Sequence, residues 1–341
     1  MLLRMPVLWL LLLVLVEGGP PPCPSRATHF LAINSLSRQT IKELLMRAYR
    51  IKAKTKERSA MHRPFEGLQL GMVFTKPSLR TRASFEAGFQ RLGGGVSYFV
   101  PADIQLGKRE AVKDVARVMS RFYDAIVARV HDHKDLEELA CYSGVPVINA
   151  LSNYNHPLQI MSDLLTITEH FRCRDNMLEG KKVVYVGDCN NMVTSWLMLA
   201  SRIPFTLGIA CPKSLDPPDA AALQLARTAG LSKVVVAHHP ADVLGGADVV
   251  YADVWTSMGF KEQEKERLRH FQGWTIDSAM LARTGKNTTV FMHCLPAERG
   301  REVSDEVMEG PQSIVFPQAE NRQHMQMAIL WHLLRGRKRL P

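Results

Sequence analysis

From residue 26 onward, apolar positions alternate between helical spacing and short continuous runs. Residues 37–54 place Leu44, Leu45, Ala48 and Ile51 on one face and predict a basic amphipathic helix. An apolar run at 68–74 precedes a helical pattern at 81–92, which Gly93-Gly94-Gly95 stops before a strand at 96–100. Helix 111–122, strand 125–130, helix 135–143 and strand 145–150 continue the alternation. A second series follows: helix 163–171, strand 181–186, a helix from about 192, strands at 234–237, 249–252 and 290–293, and a long helix at 320–334. Short apolar runs separated by helices build parallel sheets from βαβ units. The expectation is α/β: two domains, each a central parallel sheet flanked by helices, with the active site in the cleft between them. The first spans 26–160 and is completed by helix 320–334; the second spans 161–319.

Residues 1–25 stand outside this pattern. Arg4 precedes an apolar run at 7–16 and then Pro20, Pro21 and Pro22. The run has the length of a signal-peptide core and is short for a membrane span. It lacks both an obvious small-x-small cleavage site and an Arg-rich amphipathic pattern. A leader or targeting segment is expected.

Composition narrows the class. The chain has 341 residues, 46% hydrophobic and 22% charged, which excludes extended disorder. Lys+Arg 43 against Asp+Glu 33 gives a net charge of +10, which suits anionic partners. Part of that excess lies in the tail residues Arg335, Arg337, Lys338 and Arg339, and no nucleic-acid motif occupies the body of the chain. Six cysteines show no C-x-x-C and no zinc spacing, and a chain of this size does not need disulfides. A reduced compartment is therefore expected.

Candidate chemistry gathers after the strands, where ligands sit in open α/β sheets. Ser78-Leu79-Arg80-Thr81-Arg82 opens a helix, where free N–H groups, hydroxyls and guanidinium forks favour an anion; a capped helix with surface arginines is the alternative. His156, before Pro157, is held extended and with Gln159 could address a carbonyl and an amide, or be structural. Asp188-Cys189-Asn190-Asn191 lacks the G-x-G-x-x-G of dinucleotide sites, so its asparagines either meet a small ligand or cap a helix. Asp253, with Ser257 beyond it, could hold an ammonium or cap a turn. Cys294 could be a nucleophile, a hydrogen-bonding group or filler.

In this order and number, these stretches resemble the aspartate/ornithine carbamoyltransferase family. The resemblance runs from about residue 28 to 334 and includes Ser78-x-Arg80-Thr81-Arg82, Gln105, Arg129, His156-Pro157-x-Gln159, Asp188-x-Asn190-Asn191, Asp253-x-x-x-Ser257-Met258-Gly259, His293-Cys294-Leu295-Pro296 and Glu320-Asn321-Arg322. It implies that the first domain binds carbamoyl phosphate, with the phosphate on Ser78, the Leu79 backbone, Arg80 and Thr81. Arg129, His156 and Gln159 would meet the carbamoyl group and Arg322 would return to the same site. Gln105 would reach a neighbouring subunit's site, implying a homotrimer. The second domain would bind L-ornithine through Asn191, Asp253, Ser257 and Met258, with Cys294 and Leu295 where the substrates meet. Catalytic roles would fall to Cys294, Asp253, Arg129 and His156. Threonine is common in the family where this chain has Leu79, whose part is mostly backbone. The Ser257-Met258-Gly259 and His293-Cys294-Leu295-Pro296 stretches favour ornithine over aspartate, putrescine or acetylornithine as acceptor.

The implied reaction serves arginine synthesis or breakdown, its direction set by concentrations. It needs no metal or organic cofactor, no nucleic acid and no membrane for the mature domain. With the leader, a mitochondrial or plastid location is expected over the cytoplasm, and secretion is disfavoured; Asn287-Thr288-Thr289 is then a chance sequon. The rivals are a non-catalytic relative, which should have lost site residues, and a basic nucleic-acid module, which should show interleaved aromatics.

Overall fold

The computed structural model describes residues 23–57, 63–215, 217–256 and 264–335. The first domain runs α1 (Arg38–Lys56), β1 (Gln69–Phe74), α2 (Leu79–Arg91), β2 (Gly95–Phe99), α3 (Pro101–Ile104), α4 (Val112–Phe122), β3 (Ala125–Arg129), α5 (His133–Tyr142), β4 (Val147–Leu151) and α6 (Pro157–His170). Its strands lie in the order β2-β1-β3-β4, all parallel. The second domain runs β5 (Lys182–Val186), α7 (Asn191–Ala200), β6 (Thr206–Ala210), α8 (Ala220–Ala229), β7 (Lys233–Ala237), α9 (Ala241–Leu244), β8 (Val249–Ala252), α10 (Glu264–Arg269), α11 (Ser278–Ala282), β9 (Val290–His293) and α12 (Asp305–Glu309). Its parallel order is β7-β6-β5-β8-β9. The last helix, α13 (Val315–Leu334), packs back on α1, α2 and α6 of the first domain.

Helices cover both faces of each sheet, so the central strands read as apolar runs such as 125–128, which with Arg129 at the strand end is buried throughout. On α1, Ser37 caps the first turn through Thr40 N–H, and Ile41, Leu44, Leu45, Ala48 and Ile51 enter the core. Each sheet reverses its strand order once, between β1 and β3 in the first domain and between β5 and β8 in the second. Such reversals open a crevice at the carboxyl ends of the strands. The two crevices face one cleft.

Several expectations need correction. Helix α6 begins at Pro157, not 163, because proline suits a first helical position that needs no N–H donor. The same tolerance lets α13 begin at Val315 and run through Pro317 in its first turn. Strand β6 and helix α8 escaped the pattern: β6 contains Gly208, where an added Cβ would lie 3.1 Å from Val243, and α8 is alanine-rich without a strong apolar stripe. Against the expectation of reduced cysteines, a disulfide joins Cys23 to Cys141. Chain size did not foresee it because the link serves to tie the N-terminal segment to the end of α5, 118 residues away in sequence. There Ser25 N–H also bonds the Cys141 carbonyl at 3.0 Å, and its hydroxyl bonds the Ser143 carbonyl at 2.6 Å. Among the described residues no helix is long and apolar enough to cross a membrane.

Candidate active site

One side of the cleft is built at the reversal of the first sheet, where Phe74 at the end of β1 pairs with Arg129 at the end of β3. Ser78 caps α2, its Oγ accepting from Thr81 N–H at 3.4 Å and donating to Thr81 Oγ1 at 3.0 Å. The Leu79 side chain is 78% exposed, so this position offers the cleft its backbone N–H, one of the unpaired donors of a helix start. Half-buried Arg80 and buried Thr81 follow, and the Thr81 hydroxyl accepts from Arg322 Nη2 of α13 at 3.0 Å.

Three guanidiniums therefore converge on one pocket. Burial and the charges of Arg322 and Arg80 push Arg129 down to about 10; burial pushes Arg322 down to about 10, against the pull of Asp163. Arg80 is also lowered, by burial. None of the three is ion-paired to a carboxylate among the described residues, and buried Arg129 Nε has no partner there. A concentration of positive charge this poorly compensated calls for an anion. His156 lies among these cations, 5% exposed, its Nδ1 without a partner among the described residues and its backbone N–H held by Ser195 Oγ at 2.7 Å. Burial, then Arg322, Arg129 and Arg80, hold it well below the usual histidine range, so the ring is neutral.

Gln159 is more tightly held than the sequence implied. Its Oε1 accepts from Arg322 Nη1 and its Nε2 donates to Asp163 Oδ1 at 2.9 Å. Asp163 is fully buried and also accepts from Gln318 Nε2 at 2.8 Å and Tyr251 Oη at 2.9 Å. Burial raises its carboxyl to about 7 in spite of these donors. This carboxyl joins α6 and α13 to β8 of the second domain. It was missed in the sequence, although its position four residues after Gln159, in an otherwise apolar stretch of helix, marked it as a partner on the same face.

Opposite, the reversal of the second sheet presents the ends of β5 and β8. Asn190 caps α7 through Met192 N–H at 2.9 Å and donates from Nδ2 to Asp253 Oδ2 at 2.7 Å. Asp253 Oδ1 accepts from Val254 N–H at 2.8 Å and from Cys294 Sγ at 3.0 Å. Burial and the Asp253 charge raise the Cys294 thiol well above its usual value, in keeping with a protonated thiol that donates to Asp253. Asn191 Nδ2 is engaged by the Ser152 carbonyl of the first domain at 2.8 Å. Asp188 pairs with Arg267 at 2.7 Å, both buried. Leu295 stands at φ +59°, its N–H donating to His293 Nδ1 at 2.8 Å, and the Leu295–Pro296 peptide is cis.

These residues line a cleft of about 890 Å³ that brings together Ser78, Leu79, Arg80, Thr81, Arg129, His156, Gln159, Asn191, Asp253, Cys294, Leu295 and Arg322. Gln105, at the exposed end of α3, does not line it. Ser257 and Met258, with Gly259, lie outside the described residues. Among the described residues, no group of three or more His, Cys, Asp or Glu side chains could hold a metal.

A cationic crevice on one parallel sheet thus faces a carboxylate and asparagines on another. Residues 28–169 match the model of the aspartate/ornithine carbamoyltransferase carbamoyl-P binding domain, and residues 179–333 match that of the Asp/Orn binding domain. The chain belongs to the aspartate/ornithine carbamoyltransferase family. Among its relatives, the chloroplastic ornithine carbamoyltransferase of Pisum sativum is 52% identical over 305 residues, covering 89% of this chain and 80% of its own. That of Methanoculleus marisnigri is 43% identical over 307 residues, covering 90% of this chain and 97% of its own. The solved ornithine carbamoyltransferase of Pyrococcus furiosus superimposes with a TM-score of 0.85 at 39% identity, covering 92% of this chain and 98% of that one.

Proposed function

We infer that the protein transfers the carbamoyl group of carbamoyl phosphate to the side-chain amine of L-ornithine, giving L-citrulline and phosphate. The observation that carries this reading is the set of three buried or half-buried guanidiniums beside the start of α2, none ion-paired to a carboxylate among the described residues and only partly offset by Asp253 and Asp163. Phosphate rests on Ser78, the Leu79 N–H, Arg80 and Thr81. Arg129, neutral His156 and the Thr81 hydroxyl stabilise charge on the carbonyl oxygen as the tetrahedral intermediate forms. Gln159, Leu295 and Arg322 complete the carbamoyl phosphate pocket, and the departing phosphate remains in the same cationic field.

The attacking amine has a solution pKa of about 10 and must be neutral to react. Nearby guanidiniums oppose its protonation, while Asp253 and Cys294 orient it. Asn191, Asp253, Ser257 and Met258 hold ornithine. No cofactor is required by this chemistry. Residues 26–160 with residues 320–334 of α13 form the carbamoyl phosphate domain and 161–319 the ornithine domain, with α6 crossing the division. The exposed position of Gln105 is compatible with its reaching a neighbouring site in a homotrimer. A leader to an organelle lies before Cys23, because Cys23 and Ser25 are tied to the end of α5; this is in line with the chloroplastic relative.

The test offers the full chain carbamoyl phosphate with ornithine, aspartate, putrescine or acetylornithine, reading carbamoylated product and phosphate. Citrulline from ornithine alone is expected. Product from another amine would overturn the acceptor, and no product from any folded sample would leave a non-catalytic relative.

A further inference from the structure

Two thiols in the second domain have no part in the chemistry above. Cys189 stands in the turn after β5, lining the cleft between Asp188 and Asn190; Cys211 immediately follows β6 and is 1% exposed. The register of the sheet brings them together. Val186 pairs with Ala210 at the ends of these neighbouring strands, and Gly187 N–H bonds the Ala210 carbonyl at 3.1 Å. The two thiols interact with each other, and Cys189 packs on the core cluster that contains Cys211. One sulfur thus meets the cleft and the other waits behind it.

We propose that Cys189 and Cys211 are a dithiol modification site, oxidised through the cleft to an intramolecular disulfide that weakens the second-substrate side. The oxidant is a small-molecule disulfide. Cys189 attacks one of its sulfurs, and the thiol proton leaves with the first released thiol. Cys211 then attacks the Cys189 sulfur of the mixed disulfide, and its proton leaves with the second. One disulfide bond is formed and one broken, and two thiols are released. The interaction between the two lowers the Cys211 thiol, which favours that second attack, and with burial raises the Cys189 thiol, which makes the first attack the slow one.

The consequence follows from what flanks Cys189. Asp188 before it is paired to Arg267 at 2.7 Å, and Asn190 after it donates to Asp253 at 2.7 Å. A covalent bond toward β6 draws this turn away from both partners. Ser78, Arg80, Thr81 and Arg129 belong to the other domain and keep their places.

The experiment incubates the full chain with oxidised glutathione, then alkylates, digests with trypsin and reads masses. Residues 183–202 and 203–213 are separate tryptic peptides, so a 189–211 bond links two otherwise independent masses. That readout does not depend on the proposed activity. The kinetic readout does rest on it: ornithine KM should rise about tenfold, the loss of one charge-assisted hydrogen bond, with carbamoyl phosphate affinity unchanged and full reversal by dithiothreitol. Cys211→Ala, with Cys211→Ser as a second replacement for the buried site, should retain basal activity, lose the linked peptide and resist the oxidant. No linked peptide in the wild type overturns the proposal. So does a linked peptide with unchanged ornithine KM, or equal inactivation of both Cys211 variants, which would move the effect to Cys294.

Discussion

The two sides of the cleft differ in how their polar groups are occupied. In the first domain, Arg80, Arg129 and Arg322 repel one another without carboxylate partners among the described residues, and Arg129 Nε and His156 Nδ1 have none of any kind there. In the second, Asp253 already accepts from Asn190, Val254 and Cys294, and Asn191 already donates to Ser152. The first side is prepared for an anion and gains from filling at once. The second must exchange internal hydrogen bonds for those of its ligand, a smaller net gain. Carbamoyl phosphate should therefore bind first and ornithine second.

The most severe way to break this contrast is Arg80→Ala. It should lower kcat/KM by at least about tenfold, for loss of a charged hydrogen bond of about 1.5–3 kcal/mol, with carbamoyl phosphate binding by calorimetry falling in parallel. A variant with normal turnover would remove Arg80 from the site. Next comes Cys294→Ala, expected to raise ornithine KM about three- to tenfold while carbamoyl phosphate affinity stays within about twofold. Equal damage to both substrates in steady-state kinetics would erase the distinction between the sides.

A third change, Asp163→Asn, acts on stability and sharpens the comparison by probing what joins the two sides. Burial raises the folded Asp163 carboxyl from 3.8 to about 7. Between those values the folded chain holds a proton that the unfolded chain releases. This contribution to stability is fully present below about pH 3.8 and is lost as pH rises through about 7. The slope is about 1.4 kcal/mol per pH unit at its steepest. Melting curves of Asp163→Asn against the wild type across that window should show the slope removed. Identical pH dependence in the two proteins would place the carboxyl's titration elsewhere.

Much of this was legible in the chain because the chemistry sits where strands end, and strand ends are marked by abrupt passage from apolar to polar residues. Ser78–Arg82, His156-Pro157 and Asp253 were all visible that way, and twelve of the predicted site residues line one cleft. What stayed hidden depends on tertiary neighbours. Asp163 acquires its meaning from Tyr251 and Gln318, distant in sequence. The contact of Cys189 with Cys211 needs the β5–β6 register, and β6 itself was masked by Gly208, which makes room for Val243. The occupied amide of Gln159 could not be read from His-Pro-x-Gln, which records residue types and not their partners.

The return of α13 to the first domain has a consequence for synthesis. A ribosome delivers residues 26–170 early, yet Met325, Met327 and Leu330 in the core beside them, and Arg322 in their pocket, emerge only at the end. Domains ordinarily mature in the order they are made. Here the half translated first is the last to be finished, and a message cut short before α13 would yield a nascent chain able to assemble the later sheet beside an anion pocket still lacking its third arginine.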